Sequence, residues 1–244
     1  MNNIGFGIFC FGQDYYYRGA KEKIKQLLDV DLPVYVLTEK TEEFTEHPQV
    51  HVIQYNRHLK SYSDKMILPK YILKNHDICI LLDADTYVTD YSFLDLLKTY
   101  NFKKSVSYID TLLNHSAKKE FVKDLVNETN PEWKTYVEYA TKLCPQFGEH
   151  ETLWEYFLII NKDGFDMDSF YYYYEKLQLA KEYSDLPLKK EVSGAGEGIS
   201  IQISCKSANI EIQRDLELYK LLEGKMVSIS RKYTPQHLWP NWMR

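Results

Sequence analysis

Two aspartates, Asp83 and Asp85, stand two residues apart in the stretch Ile78-Cys79-Ile80-Leu81-Leu82-Asp83-Ala84-Asp85-Thr86-Tyr87-Val88. In an extended chain, side chains two apart point to the same side. Carboxylates so held repel each other unless something positive sits between them. A hard divalent cation, Mn2+ or Mg2+, prefers oxygen ligands of this kind. Such a cation keeps one or two protein carboxylates and takes its remaining ligands from water and substrate phosphates. The pair is therefore a candidate cradle for a cation held against a phosphorylated ligand. The plain alternative is that the short Asp-x-Asp pattern arose by chance and that Asp85 merely precedes a helix.

The pair needs a scaffold, and the residues ahead of it supply one. Residues 78–82 form an apolar run that ends abruptly at Asp83. In open α/β sheets, ligands bind beyond the carboxyl ends of strands. Residues 4–11 do not alternate cleanly, which predicts a first strand buried on both faces. Gly12, Gln13 and Asp14 make a turn. Ala20, Ile24, Leu27 and Leu28 recur at helical spacing, with Lys21, Glu22, Lys23 and Lys25 on the other side. Pro33 precedes a second strand over 34–38, and a polar loop over 39–48 leads to a third over 50–55. Ser63 or Asp64 caps a helix running to about residue 73, which Pro69 either delays or kinks. Strands alternating with helices in this order predict an α/β sheet with parallel strands.

Beyond residue 90 the reading gives a short helix over 93–97 and strands over 105–109 and 153–160. Asn130-Pro131 is a helix start, with Asn as cap and Pro in the first turn. Residues 167–183 form a helix in which the tetrad Tyr171 to Tyr174 packs. Residues 191–198 read as a glycine-rich loop and residues 226–229 as a late strand.

A 44% hydrophobic and 15% aromatic composition over 244 residues supports a sizeable core and excludes a disordered chain. A net charge of −5 carries no footprint for nucleic acid. The four cysteines, Cys10, Cys79, Cys144 and Cys205, are far apart and form no C-x-x-C pair, which argues against a zinc site or a disulfide framework. Reduced, buried thiols fit a cytoplasmic setting. The apolar run over residues 4–11 is short, contains glycines and lacks a basic leader, so it is not expected to be a signal peptide. No apolar run reaches the ~20 residues of a transmembrane segment.

The order of elements, with one strand ending in Tyr35-Val36-Leu37-Thr38-Glu39 and another in Asp-x-Asp, resembles the GT-A glycosyltransferases. Within that fold the likeness is to the retaining blood-group A/B and α-1,3-galactosyl type. Phe9-Cys10-Phe11 with Tyr15 is similar to that family's uracil-binding Phe-Ala-Ile and downstream Tyr. Tyr35 to Glu39 is similar to its Tyr-Val-Phe-Thr-Asp. Residues 228–239 resemble its Leu-Ser-Pro-Glu-Tyr-Leu-Trp tail. The likeness covers the N-terminal half and is patchy beyond residue 110.

The resemblance implies a single domain, residues 1–244, with a mixed, mostly parallel central sheet flanked by helices. Residues 1–110 would be the nucleotide-binding half and residues 111–244 the acceptor-binding half with its C-terminal tail. It implies transfer of a hexose from a nucleotide-sugar donor, a UDP-sugar, to a glycan or glycoconjugate acceptor, with Mn2+ or Mg2+ on Asp83 and Asp85. Phe9, Cys10, Phe11, Tyr15, Thr38 and Glu39 would line the nucleoside, and Ala84 the diphosphate turn. Lys65 stands where the family has a basic residue that helps hold the diphosphate. His150, Glu151 and Glu155 are the nearest matches to the acceptor-side strand, or are surface residues.

Glu197, in Ser193-Gly194-Ala195-Gly196-Glu197-Gly198, matches an acidic residue at the start of a late helix. There it would serve as base, nucleophile or stabiliser of the sugar cation. The same glycines also suit a plain turn. His237 matches a C-terminal histidine that some relatives use as an extra metal ligand, or is structural.

Two other readings compete. Residues 80–87 partly fit the first motif of haloacid-dehalogenase phosphatases, in which Asp83 would be the nucleophile. That motif normally opens its fold, whereas here an α/β half comes first, and Asp166 and Asp168 lack the usual Gly-Asp lead-in. The other is a non-catalytic nucleotide- or sugar-binding relative, against which the intact acidic pair argues.

Overall fold

Residues 2–56, 62–84, 86–88, 90, 92–102, 104–108, 157–183, 195–222 and 225–228 are described by the computed structural model. The first strand, β1 (Ile4–Cys10), is buried at every position, as a strand covered on both faces must be. Gly12, at φ +93°, turns the chain out of it, a conformation that costs glycine little. Helix α1 (Asp14–Leu28), strand β2 (Val34–Thr38) and strand β3 (Val50–Gln54) follow. A 3-10 stretch over Tyr62–Ile67 leads into the short helix α2 (Leu68–Ile72), with Pro69 in its first turn. A proline there forgoes a hydrogen bond that the helix lacks anyway. The expected helix therefore starts late rather than kinking. Asp64 does not open it: its side chain is buried, and its carboxylate accepts the Tyr55 hydroxyl at 3.0 Å.

Strand β4 (Ile78–Asp83) then returns to the middle of the sheet, followed by β5 (Thr86–Val88), α3 (Phe93–Thr99) and β6 (Val106–Tyr108). After β7 (Phe157–Asn161) come α4 (Met167–Tyr183), α5 (Ala195–Ser207), β8 (Ile212–Arg214), α6 (Leu216–Leu222) and β9 (Met226–Ser228).

The main sheet has seven strands in the order β3-β2-β1-β4-β7-β6-β8. Only β7 runs against the rest: it is antiparallel to β4 and to β6, and the other neighbours are parallel. Along each strand, side chains alternate between the two faces, so the core divides in two. One cluster joins Phe6, Ile8, Val36, Ile80 and Leu82 to α1, α3 and α6 through Leu27, Leu97 and Leu218. The other joins Phe9, Leu37, Cys79 and Leu81 to α2, α4 and α5 through Leu68, Tyr174 and Ile201. The architecture is thus helices on both faces of a mixed, mostly parallel sheet, as expected. Gly7 lets α2 lie close on its face, since a Cβ there would sit 2.7 Å from Leu81 Cδ2 and 3.0 Å from Ile72 Cδ1.

Several elements differ from the sequence reading. The glycine-rich stretch is partly helical, because α5 begins at Ala195. Gly198, Ser200 and Ile201 are buried there, so packing overrides the weak helix propensity of glycine. Strand β8 and helix α6 were not anticipated. In the tyrosine tetrad, Tyr171 and Tyr174 are buried, whereas Tyr172 is 56% exposed. Cys10, Cys79 and Cys205 are free and buried, as expected of a reduced interior. Asn130-Pro131 and Cys144 lie outside the described residues. No described helix is long and apolar enough to cross a membrane.

Candidate functional site

From β1 the chain runs outward through β2 to β3, then crosses back so that β4 lies on the other side of β1. The strand order reverses between β1 and β4, and in α/β sheets a crevice opens at the carboxyl ends of such a pair. Register fixes what meets there. Phe9 lies beside Asp83, and Cys10 beside Thr38. Residues scattered over the first third of the chain thus arrive at one end of the sheet.

The Asp83 side chain is 23% exposed, and Lys65 Nζ lies 3.0 Å from its Oδ1. Lys65 is 3% exposed and is delivered by the 3-10 stretch before α2. The sequence reading expected Lys65 to face a diphosphate; the structure shows it bonded to the carboxylate. One Asp83 oxygen is therefore engaged from inside the protein, while the side chain stays partly exposed.

A second lysine emerges that the sequence reading had placed on the solvent side of α1. Lys23 is only 2% exposed, and its ammonium donates to the Ala84 carbonyl at 2.6 Å. The signal was there in the helical phase: position 23 falls in the same stripe as the buried Ala20 and Leu27. A lysine stem is apolar and can lie in such a stripe, provided its head finds a partner. The Asp83-Ala84 turn is thus held by Lys65 from the α2 face and by Lys23 from the α1 face.

The other candidates on β1 and β2 are mostly inward. Phe9 and Phe11 are buried at 6% and 4% exposure, with ring centroids 4.5 Å apart. Phe11 also meets Tyr55 edge-on at 6.4 Å. Burial pushes the Cys10 thiol up to about 12, against the smaller opposing effect of the Lys23 charge. Cys10 is therefore a packing thiol rather than a thiolate. Tyr15 is half-buried at the start of α1, 4.1 Å from the Tyr16 ring. Thr38 is buried; its Oγ1 accepts the Lys40 amide at 3.2 Å and its carbonyl the Tyr55 amide at 2.9 Å. Glu39 is exposed, and its carbonyl accepts Gln54 Nε2 at 3.0 Å.

Strand β5, immediately after the acidic pair, runs antiparallel to β9, with Thr86 beside Ser228 and Val88 beside Met226. This pairing brings the segment ahead of residues 229–244 next to the acidic turn, across more than half of the chain. The Glu197 backbone lies in the first turn of α5, and its side chain is outside the described residues. So are Asp85, His150, Glu151, Glu155 and His237.

Of the expected metal ligands only Asp83 is described, a partly exposed carboxylate with one oxygen bonded to Lys65; carboxylate oxygen is the donor type that a hard divalent cation prefers. Among the described residues no three His, Cys, Asp or Glu side chains gather as a metal cluster. A shallow groove of about 400 Å³ between α3 and α6, lined by Leu96, Thr99, Tyr100, Asn101, Glu217 and Leu221, is unrelated to this site. It lies towards the other end of β1, where Asn2 bonds the Lys98 and Tyr100 carbonyls.

No protein-family model matches the sequence, and no curated protein matches it. Solved structures do. The galactosyltransferase LgtC, in complex with donor and acceptor sugar analogs, superposes with a TM-score of 0.51 at 12% identity, over 86% of this chain and 72% of that one. The bifunctional glycosyltransferase WbbM gives 0.52 at 12% identity, over 93% of this chain and 45% of that one. The glycosyltransferase GlyE of Streptococcus pneumoniae gives 0.52 at 12% identity, over 94% of this chain and 55% of that one. The chain thus spans about half the length of the latter two. What it shares with all three is architecture: this is the GT-A fold of nucleotide-diphospho-sugar transferases.

Proposed function

We propose that this chain is a glycosyltransferase that moves a sugar from a nucleotide-sugar donor, a UDP-sugar, to a glycan or glycoconjugate acceptor. The observation that carries this reading is Asp83: a partly exposed carboxylate at the β1/β4 switch point, paired in register with Phe9 and held by Lys65. Glycosyl transfer requires a nucleoside diphosphate to leave as a concentrated negative charge. Asp83 and Asp85 would hold Mn2+ or Mg2+ there, and the cation supplies Lewis-acid stabilisation of the leaving diphosphate.

The chain's own residues do the rest. Lys65, bonded to Asp83 Oδ1, keeps that carboxylate oriented and would temper its negative charge where the diphosphate binds. Tyr15 would border the base, with Phe9 and Phe11 forming the apolar floor under it. Glu197, from the first turn of α5, would face the sugar carbon as its positive character develops. The blood-group-like motifs at residues 9–15 and 35–39 support uracil as the base. His150, Glu151 and Glu155 would contact the acceptor, and His237 would complete the metal ligands from the C-terminal segment.

The experiment is a thermal-shift panel of UDP, GDP, CDP and ADP, each with and without Mn2+. A ligand that binds only the folded state raises the melting temperature by mass action. A manganese-dependent rise with UDP is expected; no rise with any nucleotide would overturn the reading. The fold does not support the phosphatase alternative, because Asp83 ends the fourth strand of the chain rather than the first. Hydrolysis of a phosphomonoester without action on any nucleotide sugar would restore it. Metal-dependent nucleotide binding with no turnover across acceptors would point to a non-catalytic relative.

A further inference from the structure

Burying an ammonium is expensive. Even after relaxation and water entry, it costs several kcal/mol unless partners compensate. Lys23 nevertheless sits at 2% exposure within the apolar stripe of α1, between Ala20 and Leu27. Core packing alone does not explain a charge there, since leucine or methionine would fill the same stripe. What the charge reaches is specific: the carbonyl of Ala84, at 2.6 Å, in the middle residue of Asp83-Ala84-Asp85.

A peptide unit is planar and rigid. Fixing the Ala84 carbonyl oxygen therefore fixes the plane of the peptide that leads into Asp85. Lys65 already holds the first carboxylate through Asp83 Oδ1 at 3.0 Å. The two lysines come from opposite faces of the sheet: α1 belongs to one core cluster, and Met66 and Leu68, beside Lys65, to the other. Each sets one half of the acidic turn.

We propose that Lys23 is a positioning residue for the metal-binding turn, locking the Ala84 peptide so that the acidic pair presents its oxygens in a fixed geometry. This inference rests on the transferase reading of the same site. It assigns no contact between Lys23 and substrate. Its role acts through the turn, and it should therefore show in cation binding before it shows in the binding of the nucleoside.

The test compares wild type, Lys23→Met and Leu27→Ala. Methionine keeps the length of the stem and removes the charge and the donor. Leu27 is fully buried on the same helix, one turn further from the acidic turn, and serves as a control for plain loss of packing. Free Mn2+ is followed by electron paramagnetic resonance during titration in the presence of UDP, well below each variant's melting temperature. The expected result is at least a tenfold rise in the half-saturating Mn2+ concentration for Lys23→Met, and a wild-type value for Leu27→Ala despite its lower melting temperature. A Lys23→Met value within twofold of wild type overturns the proposal, as does an equal rise in Leu27→Ala. Should Lys23→Met fail to fold, Lys23→Gln is read in the same way; if neither folds, Lys23 is a folding residue and the positioning role is overturned. Wild type that takes up no Mn2+ with any nucleoside diphosphate overturns the transferase reading itself, and this inference with it.

Discussion

Removing either half of the Lys65–Asp83 pair should not cost the same. The ammonium and carboxylate lie 3.0 Å apart, with side-chain exposures of 4% and 23%. At an effective dielectric of about 20, the gross attraction at that distance is roughly 5 kcal/mol, most of it offset by desolvation. Asp83→Ala takes from the enclosed ammonium of Lys65 the carboxylate that lies 3.0 Å away. Breaking a buried pair in this way costs about 3–5 kcal/mol, and the partial exposure of the site places the expected loss near the lower end, about 3. Lys65→Met leaves a carboxylate that water can reach, and the methionine side chain fills the space of the lysine stem; the expected loss is about 1 kcal/mol. For a chain of this size each kcal/mol moves the melting temperature by about 2–4 °C. The difference is therefore readable by calorimetry, and better by reversible urea unfolding at fixed temperature. The double variant should cost less than the sum of the singles by about 1–3 kcal/mol, because each single change breaks the same contact. Refutation would come from Lys65→Met proving as costly as Asp83→Ala, or from strict additivity in the double variant. Either result would mean that the ion pair does not hold the turn.

Asp85→Ala should abolish metal-dependent nucleotide binding and leave the fold intact; unchanged calorimetric titration of UDP with Mn2+ would remove Asp85 from the metal site. Glu197→Gln should keep donor binding and lose turnover, so a wild-type kcat would reassign Glu197 to the plain opening of α5. His76 gives a pH signature. Its Nε2 lies 3.1 Å from the Tyr35 hydroxyl and its Nδ1 2.8 Å from Asn3 Oδ1. Burial, with the neighbouring His51 charge adding to it and Asp77 opposing, holds its pKa below the usual 6.5. The unfolded chain then binds more protons than the folded one, so stability rises with pH. The contribution is fully present above about 6.5 and is lost as pH falls through the lower folded value. Urea midpoints measured between pH 7 and pH 5 should fall less steeply in His76→Gln than in wild type.

The strands that build the site were legible because they obey local rules. Residues 34–38 and 78–82 are apolar runs too short for helices, and both proved to be strands of the buried sheet. The helix over residues 167–183 was legible as well. Glycine-rich 191–198 misled because propensity is a weak prior beside the burial of Gly198 and Ser200. Strand β8 and helix α6, three and seven residues long, were not read from the sequence.

By itself, then, the sequence determined that this chain builds an α/β sheet and that a carboxylate pair closes one of its central strands, because hydrophobic period and strand termination are written over a few neighbouring residues. Only the tertiary structure decided what surrounds that pair. The Lys65–Asp83 contact spans 18 residues and the Lys23–Ala84 bond 61. The β5–β9 ladder, Thr86 beside Ser228, joins positions farther apart still. Which lysine faces water and which grips the acidic turn follows from how α1 and the 3-10 stretch before α2 settle on opposite faces of the sheet. That is a matter of packing between distant segments, which no local pattern encodes.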